Sequence, residues 1–114
     1  MVPICEAYRD AGISDAELVR IKDLPLWFVY AKNDDVVVPE QYEEPTIARL
    51  RAMGADLRVS VFEDVHDRYG MTDPKTGAPW QFSGHWSWIY FFNNACIDPV
   101  SGEHIWSWMG RQKR

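Results

Sequence analysis

One stretch of the chain, Leu26-Trp27-Phe28-Val29-Tyr30-Ala31, carries no polar position on either face. A strand that is apolar on both faces belongs in the middle of a parallel sheet with helices on both sides. Leu57-Arg58-Val59-Ser60-Val61-Phe62 alternates apolar and polar residues and predicts a second, more exposed strand. Between them, Glu43-Glu44-Pro45 opens a helix, with proline tolerated in the first turn and acids favoured by the dipole. Ile47, Leu50 and Met53 share one face of it, Arg49 and Arg51 point away, and Gly54 stops it. Strand, helix and strand with short connections make a βαβ unit, hence a parallel sheet.

The flanks read less regularly. Val2-Pro3-Ile4-Cys5 is short and β-prone, a poor strand alone but a good member of a larger sheet. Ser14-Asp15-Ala16-Glu17 is a capping box that starts a helix through about Ile21, and Pro25 bars its continuation. Glu63 to Ser83 reads as a structureless loop of about twenty residues, a length that in a compact domain is functional or disordered. Trp86 to Asn93 reads as helical, Asp98 to Gly102 as a turn, and Glu103 to Met109 as a last helix with Ile105, Trp106 and Met109 inward. Two parallel strands are not a stable sheet by themselves. The expected fold class is therefore α/β, with residues 1–114 forming one partial domain whose leading strands are missing.

Composition narrows the function. The chain has 114 residues, one domain at most, and a formal charge of −5 with no basic stripe, which argues against nucleic acid as a partner. The basic end, Gly110 to Arg114, is a tail rather than a surface. No run approaches the ~20 apolar residues of a membrane helix, and no signal peptide opens the chain. Compartment stays open. Cys5 and Cys96 read first as two buried free thiols, and second as a disulfide closing a long loop. Of sixteen aromatics, six are tryptophan, and Trp80, Trp86, Trp88, Trp106 and Trp108 crowd the C-terminal half. They fill a core or pocket wall in the first reading and line a carbohydrate- or partner-binding surface in the second.

Candidate chemistry centres on a carboxylate and a histidine. Asp34 lies just past the end of the buried strand, where ligands and catalytic groups gather in open α/β sheets. Asp35 is its rival. His85 follows a glycine and precedes a helix, and a Gly-His turn gives a general base freedom to rotate into reach. His66, four residues past Phe62, is its rival, and His104 reads as a surface residue. His66, Asp67, His85 and Asp34 contain no H-E-x-x-H, H-x-H or close Cys/His spacing, so neither a metal nor another cofactor is expected. No G-x-S-x-G is present.

Several motifs together carry a family resemblance. Leu24-Pro25 to Ala31-Lys32-Asn33-Asp34, with Val37 after it, is similar to a "P-hydrophobic-G/A-x-x-D" strand end; Pro39 comes one residue later than in the commonest form, which keeps Asp35 open. Gly84-His85-Trp86-Ser87-Trp88 is similar to a "G-H-x-x-W" histidine turn, and Ile105 to Arg114 to a closing helix with a basic end. Over essentially its whole length the chain resembles the C-terminal part of bacterial α/β-hydrolases of the prolyl-oligopeptidase-like and polyhydroxybutyrate-depolymerase-like esterase group. Val2 to Cys5 would be the sixth strand of that fold and Leu26 to Ala31 the seventh. The resemblance implies a serine hydrolase that cleaves esters, or less often peptide bonds, in small or polymeric substrates through an acyl-enzyme. Asp34 would be the acid and His85 the base of its triad. Tyr69, Trp80 and Trp86 would border the substrate pocket. The nucleophile serine and oxyanion amides have no counterpart, so the isolated chain is expected to be inactive. Its unpaired sheet edge is expected to promote self-association.

Overall fold

The computed structural model describes residues 1–112; Lys113 and Arg114, the last residues of the expected basic end, lie outside the described residues. The framework is α1 (Asp15–Ile21), β1 (Leu26–Ala31), α2 (Glu43–Ala52) and β2 (Leu57–Phe62), followed by β3 (Val65–His66), β4 (Gln81–Phe82), α3 (Trp88–Phe92) and α4 (Ile105–Arg111). Two further single turns of 3₁₀ helix occur at Asp10–Gly12 and Gly84–Trp86.

β1 and β2 pair in parallel, Leu26 opposite Leu57 through Ala31 opposite Phe62. The segment before α1 lies along the other side of β1. Ile4 bridges Val29 in parallel, and the amides of Trp27, Val29 and Cys5 bond the carbonyls of Met1, Pro3 and Val29 in turn. β1 is thus the middle of three extended segments, and all six of its residues are buried.

Alternation along β1 divides the core in two. Trp27, Val29 and Ala31 face a cluster with Val65, Tyr90, Cys96, Ile105 and Trp108. Leu26, Phe28 and Tyr30 face Leu18 of α1 and Ile47 and Leu50 of α2. Helices cover both faces of the strand, an α/β arrangement that explains why it needs no polar side.

Local signals set the helix starts. The Ser14 side chain accepts from the Glu17 amide at 3.2 Å while Glu17 reaches back to the Ser14 amide at 3.3 Å, the reciprocal capping box. α2 begins at Glu43, and Arg49, off the apolar face as expected, reaches Asp10 at 2.9 Å and Asp15 at 2.6 Å, tying the 3₁₀ turn and α1 to α2.

Three expectations are corrected. The stretch from Glu63 to Ser83 is not structureless. It folds back as an antiparallel excursion in which Val65 pairs with Phe82, His66 with Gln81, and Thr72 with Pro79. The last helix starts two residues later than expected, and of the three side chains expected inward only Ile105 is. Ile105 and Trp108 are buried, while Trp106 and Met109 are exposed, because the i, i+3 pair of the shifted helix faces β1. The tryptophans do not all fill the core either. Trp27 and Trp108 pack edge to face at 5.3 Å, but Trp80, Trp86, Trp88 and Trp106 are each about half exposed.

Trp27 also needs a polar partner, because its indole N–H is buried. Nε1 donates to Ser60 Oγ at 2.9 Å, and that hydroxyl donates to the Ile97 carbonyl at 3.0 Å. This relay locks β2 and the loop after α3 onto β1. Ser60→Ala leaves the indole donor and the Ile97 carbonyl without this partner and is expected to destabilise the fold by about 1–3 kcal/mol in chemical denaturation. A loss below about 0.5 kcal/mol would show that the relay is not structural.

Candidate acid–base site

Asp34 is positioned by its own turn. Its amide bonds the Ala31 carbonyl at 3.2 Å as β1 ends, and Oδ1 accepts from the amides of Val36 at 3.0 Å and Val37 at 2.9 Å. An aspartate accepting backbone amides two and three residues ahead fixes a tight turn and its own rotamer. Oδ2 is left to face His85 Nδ1 at 3.0 Å. A carboxylate only accepts, so Nδ1 carries the proton and Nε2 is the free base nitrogen of the neutral ring. Asp35, the rival acid, is exposed and makes no hydrogen bond to His85.

His85 sits in the 3₁₀ turn Gly84–Trp86, whose start is capped by Ser83 Oγ accepting from the His85 amide at 3.2 Å. Gly84 serves this geometry by close approach rather than by the rotational freedom that the sequence suggests. A Cβ there would lie 2.7 Å from the backbone carbon and oxygen of Asn33 and would also strike the Asn33 side-chain oxygen. The two turns that carry the acid and the base are therefore pressed together at Asn33 and Gly84.

The other sequence candidates lie elsewhere. His66 Nδ1 pairs with Asp64 at 2.6 Å, and the Tyr90 hydroxyl bonds the His66 backbone. His104 is exposed and meets the Asn94 carbonyl at 2.8 Å. Trp86 is adjacent to the base, 44% exposed, and its ring lies 6.2 Å from both Phe82 and Trp88. Tyr69 and Trp80 stand exposed on the hairpin excursion, and among the described residues neither makes a ring contact or side-chain hydrogen bond to Asp34, His85 or Trp86. An apolar pocket of about 510 Å³ lies away from the dyad, between the leading segment and α1, lined by Val2, Pro3, Leu18 and Phe28 among others.

Two residues missing from the sequence candidates surround the acid. Glu43, the first residue of α2, is fully buried, and neither carboxyl oxygen has a partner. Burial pushes its carboxyl up to about 7; its own backbone amide opposes this, and Asp34, Glu6 and Glu44 add to it. Cys5 closes the leading segment in a left-handed backbone conformation, φ 49°, which a non-glycine residue adopts at a cost. Its thiol donates to the His85 carbonyl at 2.9 Å and lies 2.9 Å from Ser87 Oγ. Burial raises the thiol pKa and the carboxylates of Asp34 and Glu43 raise it further, against a hydrogen bond with Ser87. That is the opposite of an activated thiolate nucleophile. No local pattern marks either residue: Glu43 reads as an ordinary helix-start acid and Cys5 as the end of an apolar strand. Cys5 and Cys96 are both free and buried.

No family model matches the chain, and no curated protein matches it. Among solved structures it is similar to one described as the crystal structure of a thermostable esterase, at 26% identity and a TM-score of 0.62. The likeness covers 99% of this chain and 24% of that one, so the chain spans about a quarter of the esterase's length. With helices on both faces of a parallel sheet, it relates the chain to an esterase-like α/β-hydrolase.

Two outcomes follow from this geometry. Gly84→Ala pushes the two turns apart and is expected to destabilise the fold by about 1–3 kcal/mol and to break the Asp34–His85 bond; wild-type thermal stability in the variant would contradict the close-approach account. A carboxyl raised from the ordinary range to about 7 favours the protonated folded state. Its contribution to stability is complete below pH 4.5 and is lost as pH rises through 7. Glu43→Gln is therefore expected to be more stable than wild type at pH 8, by about 2–3 kcal/mol, and to lose much of the decline between pH 5 and 8. Parallel pH–stability curves for the two proteins would show that Glu43 is not held protonated.

Proposed function

We propose that this chain is the acid-and-base portion of a serine hydrolase of the prolyl-oligopeptidase-like or polyhydroxybutyrate-depolymerase-like group, cleaving esters rather than peptides. The hydrogen bond between His85 Nδ1 and the buried Asp34 at the end of β1 carries the reading. The likeness to a thermostable esterase supports it.

In this mechanism Asp34 holds the ring in the Nδ1–H tautomer and stabilises the imidazolium. Nε2 takes the proton from a serine hydroxyl, then returns it to the leaving alcohol as the acyl-enzyme forms. Water repeats the cycle in reverse. The side chain of His85 is one-third exposed, which leaves room for a nucleophile to approach. No serine of this chain is assigned that role: Ser87 is fully buried and Ser83 caps the histidine turn. The nucleophile and the oxyanion donors come from outside these residues, and the 114-residue chain alone is inactive. Trp86, beside the base, borders the substrate, with Tyr69 and Trp80 further out on the hairpin.

The test is labelling by a serine-reactive fluorophosphonate of the polypeptide that the native gene encodes. The reading expects one labelled serine within a G-x-S-x-G turn encoded upstream of Met1. His85→Ala is expected to slow labelling by on the order of 10³-fold or more. No labelling, or labelling at an unchanged rate in the variant, contradicts the assignment.

The half-exposed tryptophans favour a second reading, a carbohydrate- or partner-binding surface formed by Trp86, Trp88 and Phe92, whose rings follow one another at 6.2 and 6.3 Å. Calorimetric binding of an oligosaccharide that Trp88→Ala abolishes supports it; flat heats across a glycan panel exclude its carbohydrate form. We further propose that the open edge of the leading segment drives self-association. A concentration-dependent sedimentation coefficient is expected, and a strict monomer at high concentration contradicts it.

A further inference from the structure

Acid and base do not account for everything gathered at the end of β1. Cys5 arrives there from the leading segment, Asp34 from the turn after β1 and His85 from the turn before α3. The Cys5 sulfur, a carboxylate oxygen of Asp34 and a ring nitrogen of His85 all lie within 4.8 Å of one another. Cys5 and Asp34 are buried, and the partly exposed His85 gives the cluster one open side. Ester cleavage has no use for the thiol.

We propose that Cys5, Asp34 and His85 form a binding site for a divalent transition-metal ion of the zinc class, and that the bound ion withdraws the acid and the base from proton transfer.

The donor set selects the ion. Sulfur, imidazole nitrogen and one carboxylate oxygen suit zinc-like cations, with bonds of about 2.0–2.3 Å and a fourth position open to water. Calcium and magnesium prefer oxygen alone. The three donors come from positions 5, 34 and 85, so no metal-binding spacing exists in the sequence.

Charge around the site points the same way. Both carboxyl oxygens of Glu43 and one of Glu6 are buried without partners. Among the described residues no lysine or arginine forms a salt bridge with Asp34, Glu43 or Glu6. Buried carboxyl oxygens without partners beside Asp34 are costly, and a divalent ion supplies a charge they can face. The supporting contacts are in place as well. The Val36 and Val37 amides fix Asp34 through Oδ1, leaving Oδ2 on the His85 side, and the Ser87 hydroxyl is 2.9 Å from the sulfur, able to donate to a thiolate.

The step balances without an oxidant. Cys5 gives its thiol proton to solvent as the sulfur–metal bond forms, and the imidazole coordinates as the neutral ring. His85 exchanges its hydrogen bond to Asp34 for coordination. One proton leaves per ion bound, and affinity rises with pH.

Cobalt(II) is the probe, because a cobalt–thiolate bond gives a charge-transfer absorption in the near ultraviolet. The reduced protein is expected to bind one cobalt with that band, to lose the band when zinc displaces the cobalt, and to keep it in Cys96→Ser. Cys5→Ser is expected to lose the band, and His85→Gln and Asp34→Asn each to weaken binding at least tenfold. No band, or a band unchanged in Cys5→Ser, overturns the proposal. If Cys5→Ser does not fold, full-affinity binding in both His85→Gln and Asp34→Asn overturns it equally. The readout is a metal–sulfur bond, so the site stands or falls separately from the ester-cleavage reading.

Discussion

A single carboxylate organises this molecule. Asp34 uses one oxygen to fix the turn that leaves β1 and the other to hold a histidine fifty-one residues further along the chain. Everything else at the site depends on that double duty. The turn has its shape because Oδ1 is satisfied by backbone amides. His85 has its orientation because Oδ2 is thereby aimed at Nδ1. The close contact of Gly84 with Asn33 brings the two turns near enough for the bond to form. A buried carboxylate of this kind is tolerated only when its lone pairs are used, and here both oxygens are.

The framework beneath it is set by β1. Because both faces of the strand are apolar, both must be covered, and the chain supplies α1 and α2 on one side and α3 and α4 on the other. This rigid middle layer lets a short loop at its end hold side chains to hydrogen-bond precision. The same end also gathers Cys5 and places Glu43 within electrostatic reach of Asp34.

What could be read from the sequence was local. The capping box at Ser14, the two-faced strand, the helix opened by Glu43 and the alternating strand at Leu57 are specified by neighbouring residues, and each forms where its pattern lies. The order of Asp34 and His85 could be read too. The family resemblance paired them, but the residues alone left Asp35 open, because Asp34 and Asp35 follow β1 equally and only the turn buries one and exposes the other. Long-range packing hid the rest. The β3–β4 ladder is two residues deep and joins segments about fifteen apart, too short for periodicity to reveal. The inward face of α4 turned on a two-residue shift in its start. Cys5 reads as a buried free thiol, as it is, but its place beside Asp34 and the burial of Glu43 carry no local mark, because nothing nearby in the sequence records what folds over them.

The account rests on which nitrogen of His85 carries the proton, and nitrogen-15 NMR of the ring reads this directly. In the metal-free protein with neutral imidazole, the account predicts a protonated, pyrrole-like Nδ1 and a bare, pyridine-like Nε2, and loss of that preference in Asp34→Asn. A ring protonated at Nε2, or a tautomer mixture that Asp34→Asn leaves unchanged, would contradict it.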